Sequence, residues 1–487
     1  MSAMETKKKF TLDVGWAFVA TTIPLIVGFL LRIIFGNYLG ASGLGLYSLV
    51  LIVYTIATLI GAMGIPAATV KFVAEFKEQR QRLNSFITCS LVNSLIFGLI
   101  FMVVFYLLSP YIADFFHNSD LIILIQIISV GIPFFILSNT IIRLFNGLRR
   151  MGFFSFGLIF RSCLILVFSL VFIYLNLGIT GPILAIVLSE IVTTVAVLIL
   201  SRNIFSFIFT DYLEETRELI KFGVQLLLND GTYFLDVNID TIIVGYFLTS
   251  QEVGIYSVAI MFAQLLFIIP GAMAQVTYPA LTEFYHKKID SAMKSTLSKS
   301  IKYSFYVTSI LGLGLILASS NIISLLLPPV FLQAVIPLSI IIYALMLYAP
   351  MTSVGSLWNA VNRPYIVSIF GIIWVTINAV INILLIPIYG IVGAAIATST
   401  TYILRPFPGF YLWKRLLKIE IGQWWYVRSW AMLGVLLIIF FYLESYVNAD
   451  LLKIIIFLVW MVILTQFLME KQEKQETWEL FRHIIKK

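Results

Sequence analysis

The sequence predicts an all-α polytopic membrane protein of about fourteen transmembrane helices. Two six-helix lobes related by a pseudo-two-fold axis along the membrane normal are joined by two peripheral helices. Three observations carry that prediction. Of 487 residues, 60% are hydrophobic and only 11% charged, where a soluble domain carries about 25%. Lysine and arginine concentrate in alternate connections between apolar segments. A block of residues early in the chain recurs 209 positions later.

The apolar segments run at roughly 12–35, 44–64, 84–108, 121–145, 153–176, 181–201, 222–248, 253–276, 303–319, 332–358, 365–386, 391–413, 429–443 and 449–469. Most approach the ~20 residues that carry a helix across the hydrocarbon core. Lys7, Lys8 and Lys9 precede a segment of full spanning length, without the short apolar core and cleavage site of a signal peptide. The first helix is therefore expected to start translocation and to remain.

Basic residues then set the topology. Of 32 Lys and Arg, 27 lie in one alternate set of connections and in the terminal segments, four lie inside spans, and Lys453 alone falls in the other set. The basic side of a multi-pass protein is cytoplasmic, which places both termini in the cytoplasm, makes the span count even and predicts residence in the cytoplasmic membrane. The net charge of +8 follows this topology. It points to anionic lipid and not to nucleic acid. The outward connections Gly36–Gly43, Leu177–Thr180, Thr249–Glu252 and Pro387–Gly390 are short enough to make the helices they join antiparallel neighbours.

The cytoplasmic segments Lys71–Leu83, Asn203–Lys221, Thr277–Lys302 and Lys471–Lys487 are too short for an ATPase domain, and the chain has no GxxxxGK[ST] or HExxH motif. Cys89 and Cys163 both lie in apolar segments and form no disulfide framework. A transporter without catalytic residues, metal or cofactor is expected.

The repeat defines the halves. Ile33, Ile34, Gly36, Leu39, Gly45, Tyr47 and Ser48 recur as Ile242, Ile243, Gly245, Leu248, Gly254, Tyr256 and Ser257. Glu75-Phe76 recurs as Glu283-Phe284, and Gly178-Ile179-Thr180-Gly181 with Ala185 as Gly390-Ile391-Val392-Gly393 with Ala397. Asn146 and Arg150 recur as Asn359 and Arg363. An even number of spans per half gives both halves the same orientation. The domains are an N-terminal lobe 1–202, a cytoplasmic linker 203–221, a C-terminal lobe 222–413, and 414–487 with the last two helices and the tail.

Charges inside spans are the candidate site residues. The seventh span carries Asp230, Asp236 and Asp240, with Asn229, Tyr233, Asp236 and Asp240 on one helical face. A carboxylate at the midplane costs about 2.5–3.5 kcal/mol on insertion scales, so it faces a partner, a cavity or water. Glu190 lies beside Thr193 and Thr194 and is either a proton site or the structural partner of Arg161. Arg32 either snorkels or is a cavity cation. Its repeat position falls at Asp240 or Thr241, which makes an Arg32–Asp240 pair attractive. Arg143 is near a cytoplasmic end, where it either snorkels or lines the cavity. Arg405 precedes Pro406 and Pro408 and either satisfies carbonyls freed there or lines the cavity. Asn378 and Asn382, one turn apart, join helices or contact sugar. Pro24, Pro133, Pro270, Pro337 and Pro350 offer hinges.

The motif Arg32…Gly36-x-x-Leu39-Gly40…Gly45-x-Tyr47-Ser48, answered by Asp240…Gly245-x-x-Leu248…Gly254-Ile255-Tyr256-Ser257, resembles the MOP superfamily, and within it the polysaccharide-transporter branch of Wzx-type oligosaccharide flippases. The resemblance implies a flippase that moves polyprenyl- or dolichyl-diphosphate-linked oligosaccharide by alternating access of two lobes, in membrane lipid and beside a glycan polymerase or ligase. It implies that Arg32, Arg143 and Arg161 contact diphosphate or acidic sugar. Arg405, Asn378 and Asn382 are further cavity candidates. Asp230, Asp236, Asp240 and Glu190 are left as gate residues or as sites for a coupling Na+ or H+.

Two related alternatives stand beside it: a MATE-type cation-coupled drug antiporter, with twelve spans and a carboxylate-led cavity, and a lipid II flippase-like transporter. A membrane glycosyltransferase or polymerase would need a large outer loop or an acidic catalytic motif. A structural scaffold leaves the intramembrane charges unexplained.

Overall fold

Backbone amides inside hydrocarbon must be satisfied within their own segment, and this chain meets that demand with helices. A computed structural model describes residues 3–419, 423–443 and 449–468, and no strand occurs among them. The predicted cytoplasmic tail 471–487 lies outside the described residues.

The first element, α1 (Ala3–Gly61), is two helices joined at Gly40, whose φ of 68° leaves the helical region. It runs through Pro24 without a break. Next come α2 (Ile65–Glu75) and α3 (Arg80–Phe115). The helices α4 (Leu121–Ser129) and α5 (Gly131–Gly147) form one span bent by 41°, with Pro133 in the first turn of α5. They are followed by α6 (Met151–Tyr174), α7 (Thr180–Ser201), α8 (Tyr212–Phe247) and α9 (Ser250–Ala263). A 3₁₀ turn at Gln264–Phe267 leads to α10 (Ile268–His286). The chain continues through α11 (Asp290–Leu326), α12 (Val335–Thr352), the short α13 (Leu357–Ala360), α14 (Tyr365–Leu404, broken at Gly390), α15 (Pro406–Leu412), α16 (Gln423–Leu443) and α17 (Ala449–Ile463).

Nine helical runs among the described residues are long and apolar enough to cross a membrane. The breaks at Gly40 and Gly390 each make two spans of one run, the α4–α5 pair adds one, and α8 and α17 bring the number to the predicted fourteen. Several helices outrun their apolar segments. α11 starts at Asp290, well before the expected 303, because Met293, Leu297 and Ile301 form a buried stripe at helical spacing through the polar run.

The sequence repeat extends to backbone detail. Gly178 and Gly390 are both left-handed, with φ of 57° and 58°. Arg149 and Asn362, also equivalent, have φ of 56° and 58°. Around them Arg150 N donates to Phe145 O at 2.8 Å, and Arg363 N to Trp358 O at 2.8 Å.

The chain divides into two compact units, Met1–Ser257 and Val258–Lys487. In the first, Phe72, Phe76 and Phe86 stack at 4.7 to 6.3 Å in a core shared by α2, α3, α5, α6, α7 and α8. In the second, α12 is the central helix, packed on α11, α14 and α16, and Ile342, Met346 and Leu347 are fully buried. The last two helices lean on this bundle through indole donors: Trp430 to Tyr343 O at 2.9 Å and Trp460 to Ser309 Oγ at 3.2 Å.

Within the first unit, the start of the second half of α1 crosses the start of α9. A Cβ on Gly45 would run into the Ser250 carbonyl oxygen, and one on Gly254 into that of Ala41. Ala41 and Ser250 are themselves 209 positions apart, so the two contacts are repeat equivalents with the roles exchanged. Ser42 and Ser250 hydroxyls meet beside them at 2.9 Å. Only glycine permits backbones this close.

The expected linker 203–221 is half helical and docks on α3. Ser85 Oγ donates to Thr210 O at 2.6 Å, Ile208 N to Thr88 Oγ1 at 3.0 Å, and Asn93 Nδ2 to Thr216 Oγ1 at 3.0 Å. Glu215 is buried here beside Cys89, whose thiol lies 3.6 Å from its carboxylate. Burial pushes the Glu215 carboxyl above its ordinary range, against the pull of its Ser85 and Cys89 hydrogen bonds and the Arg82 charge.

Two outcomes follow from this packing. Gly45→Ala or Gly254→Ala should cost about 1–3 kcal/mol through overpacking and lower Tm, whereas Gly28→Ala, with open space at its Cβ, should not; equal melting of all three refutes the tight crossing. Because the folded Glu215 value lies above the unfolded one, its protonated form stabilises the fold at low pH, and that contribution is lost as pH rises through the folded value. Glu215→Gln should therefore raise Tm at pH 8 and leave it near wild type at pH 4; thermal unfolding at the two pH values checks this.

Candidate functional site

Most intramembrane charges of the first unit are placed by α1, α5, α6, α7 and α8. Arg161 on α6 and Glu190 on α7 are 9% and 2% exposed, and Arg161 Nε lies 3.2 Å from Glu190 Oε2. Ser138 on α5 completes the group: Arg161 Nη2 donates to its hydroxyl at 2.7 Å, and the hydroxyl donates to Glu190 Oε2 at 3.4 Å. The Phe135 ring covers the guanidinium at 4.8 Å. Of the two readings of Glu190, its geometry is that of a structural partner. A buried charge left alone in hydrocarbon would be far costlier than this pair.

Asp240 meets the tyrosine of the repeated G-x-Y-S turn. Asp240 is 4% exposed and accepts a hydrogen bond from the Tyr256 hydroxyl at 3.3 Å. Arg32, half-buried, lies within electrostatic reach of Tyr47, the equivalent tyrosine. Among the described residues no carboxylate comes within ion-pair distance of Arg32, so the attractive Arg32–Asp240 pair is not formed. Asp240 is instead tied to Tyr256 within its own repeat.

Other polar groups remain accessible. Asn229, Asp230 and Tyr233 of α8 are exposed, and Asp236 is half-buried. At membrane depth an exposed carboxylate faces water, not lipid. Arg143 on α5 is exposed, without an ion pair among the described residues.

In the second unit, Tyr348 and Tyr402 stack with centroids 5.0 Å apart and planes within 6°. The Arg405 guanidinium lies 5.1 and 5.2 Å from these rings, and its Nη1 donates to the Tyr348 hydroxyl at 3.4 Å. Such cation–π contacts contribute about 0.5–2 kcal/mol each. Asn378 and Asn382 are buried and turn to each other, with Asn382 Nδ2 donating to Asn378 Oδ1 at 2.7 Å. No cluster of His, Cys, Asp and Glu among the described residues could hold a metal.

Residues 10–285, more than half of the chain, match the family described as polysaccharide biosynthesis protein. The chain belongs to that family. An uncharacterized membrane protein of Methanocaldococcus jannaschii is 24% identical over 441 residues, 85% of this chain and 86% of that protein. The probable low-salt glycan biosynthesis flippase Agl15 of Haloferax volcanii is 27% identical over 228 residues, 46% of this chain and 48% of its own length. The solved structure of the lipid II flippase MurJ in an inward closed conformation matches with a TM-score of 0.72 at 16% identity, covering 94% of this chain and 100% of that one. That likeness is one of fold. Of the resemblance drawn from the G-x-Y-S turns, the family match bears out the polysaccharide branch, and the solved structures share the fold.

In this polysaccharide biosynthesis protein, site residues that pattern reading passed over are Ser138, Tyr256, Tyr348 and Tyr402. Tyr402 had a signal, its i, i+3 spacing to Arg405, and Tyr256 had its recurrence. Ser138 and Tyr348 lie on other helices and had none.

The ion pair can be separated from a substrate role. Arg161→Leu alone strands Glu190 and should cost about 3–5 kcal/mol. The double variant Arg161→Leu/Glu190→Leu should recover most of that. Thermal unfolding checks the recovery, and transport by the double variant shows whether Arg161 serves more than structure.

Proposed function

We propose that this protein is a flippase that moves a polyprenyl- or dolichyl-diphosphate-linked oligosaccharide from the inner to the outer leaflet of the cytoplasmic membrane, by alternating access of its two repeat lobes. The observation that carries the reading is the pair of intramembrane arginines, Arg32 and Arg143, that have no counter-charge among the described residues. A cation kept at depth without a carboxylate is suited to an anionic ligand. The lipid tail can stay in the bilayer while a diphosphate and its polar sugars pass. The relative named as a probable glycan biosynthesis flippase supports the same substrate class. A glycan polymerase or ligase acting on the outer leaflet would consume the product.

The antiporter alternative needs a carboxylate-led cavity. Here Glu190 is neutralised by Arg161, and Asp240 is held by Tyr256, which leaves the exposed Asp230 as the carboxylate for a coupling Na+ or H+. In the proposed orientation the Gly45–Gly254 crossing lies on the outer side and is closed, so transport requires it to part.

Liposomes carrying a fluorescent lipid-diphosphate oligosaccharide, with outer-leaflet probe quenched, provide the test. Wild type should move the probe, and Arg32→Ala should slow it about tenfold or more, the loss of one charge-assisted contact. The double variant Ser42→Cys/Ser250→Cys should stop on oxidation and recover on reduction. Absent lipid-linked sugar movement together with cation-driven efflux of a small dye would establish the antiporter instead.

A further inference from the structure

A lateral cleft of about 580 Å³ opens on the first unit. It is lined by Trp16 of α1, Phe153, Phe156, Phe160 and Cys163 of α6, and Leu200 of α7. The four α6 residues follow i, i+3, i+7 and i+10 and make one helical face. On that face Phe153, Phe156 and Cys163 are exposed and Phe160 is half-buried, and Trp16 and Leu200 are exposed. Phe156 and Phe160 stack at 5.1 Å, and Phe153 is stacked on Phe145 at 5.2 Å. The wall is thus built of ordered rings. The volume falls in the ~300–1,000 Å³ range of ligand cavities.

Three arginines flank the lining residues in sequence: Arg149 and Arg150 immediately precede α6, and Arg202 follows Leu200 by two residues, just past the end of α7. All three are exposed and form no ion pair among the described residues. Basic groups at the cytoplasmic ends of transmembrane helices, next to an apolar crevice, are the arrangement that binds anionic lipid head groups.

We propose that this cleft seats the isoprenoid tail of a polyprenyl diphosphate, with the diphosphate held by Arg149, Arg150 and Arg202. The inference rests on the flippase reading and extends it to a docking place for the lipid carrier, outside the arginines of the transport path. Charge decides the occupant. Three unpaired guanidiniums match a doubly charged diphosphate better than the single phosphodiester of a bulk phospholipid, and guanidinium takes phosphate oxygens in bidentate fashion. The aromatic wall excludes a polar occupant from the interior.

Cys163 supplies the readout. It is exposed in the cleft, and the second cysteine, Cys89, is buried. The full chain in liposomes would be treated with N-ethylmaleimide and its modification followed by mass spectrometry, with Cys163→Ser as the blank. Undecaprenyl diphosphate should slow modification about fivefold or more, while dioleoylphosphatidylglycerol at the same mole fraction and inorganic diphosphate should not. Arg149→Ala/Arg150→Ala/Arg202→Ala should raise the half-protecting concentration about tenfold. Equal protection by phosphatidylglycerol, or none by undecaprenyl diphosphate, overturns the assignment, and the wild-type comparison decides this even if the triple variant does not fold. Flipping measured on the same liposomes keeps the two readings apart. Protection without flipping upholds the cleft and removes the transport role, and flipping without protection does the reverse.

Discussion

Hydrocarbon offers no hydrogen bonds, so every polar group taken to membrane depth must find its partner within the protein or line a watery space. That constraint orders the interior of this chain. Arg161, Glu190 and Ser138 close one buried group across three helices. Asp240 is tied to Tyr256, Asn378 to Asn382, and Arg405 to a stacked pair of tyrosines. The long helices satisfy the backbone by themselves, and those side-chain groups that bridge helices, Arg161–Glu190–Ser138, Asp240–Tyr256 and Arg405–Tyr348, then fix how neighbouring helices are rotated.

The internal repeat gives the arrangement its economy. The two copies share left-handed residues at equivalent corners and the same helix-ending hydrogen bonds. Where copies of the turn meet, in the first unit, the contact is backbone on backbone, with Gly45 and Gly254 exchanging roles. Divergence is confined to chemistry on a preserved frame. Tyr256 of the second turn binds Asp240, whereas Arg32 of the first copy falls one residue out of that register, opposite Thr241 at the offset of 209.

Function follows from which charges are left over. Neutralised groups such as Arg161 and Glu190 hold helices together. Arg32 and Arg143, without a carboxylate among the described residues, are the cations proposed to meet an anionic ligand. The apolar cleft near the helix ends that carry Arg149, Arg150 and Arg202 is the proposed seat of a long apolar tail and its phosphates. The proposed substrate, part lipid and part charged sugar, needs both kinds of surface.

Much of this was legible in the sequence. Composition and the alternation of basic loops depend only on the cost of moving charge across lipid, so the all-α multi-pass class and fourteen spans could be read without coordinates. The repeat could be read too, because glycines and turn residues answer to local backbone geometry. Helix ends were less legible: α8 and α11 extend beyond their apolar segments because buried stripes continue into polar runs that hydropathy averages away. Pairing was legible only in outline. Arg161 and Glu190 were candidate partners by depth, but Arg32 and Asp240 were as well, and those two do not pair. Depth along a helix is a property of the chain. Which way a side chain faces, and whether Ser138 or Tyr256 stands opposite it, depends on the rotation and crossing of helices far apart in sequence, and only tertiary packing decides that.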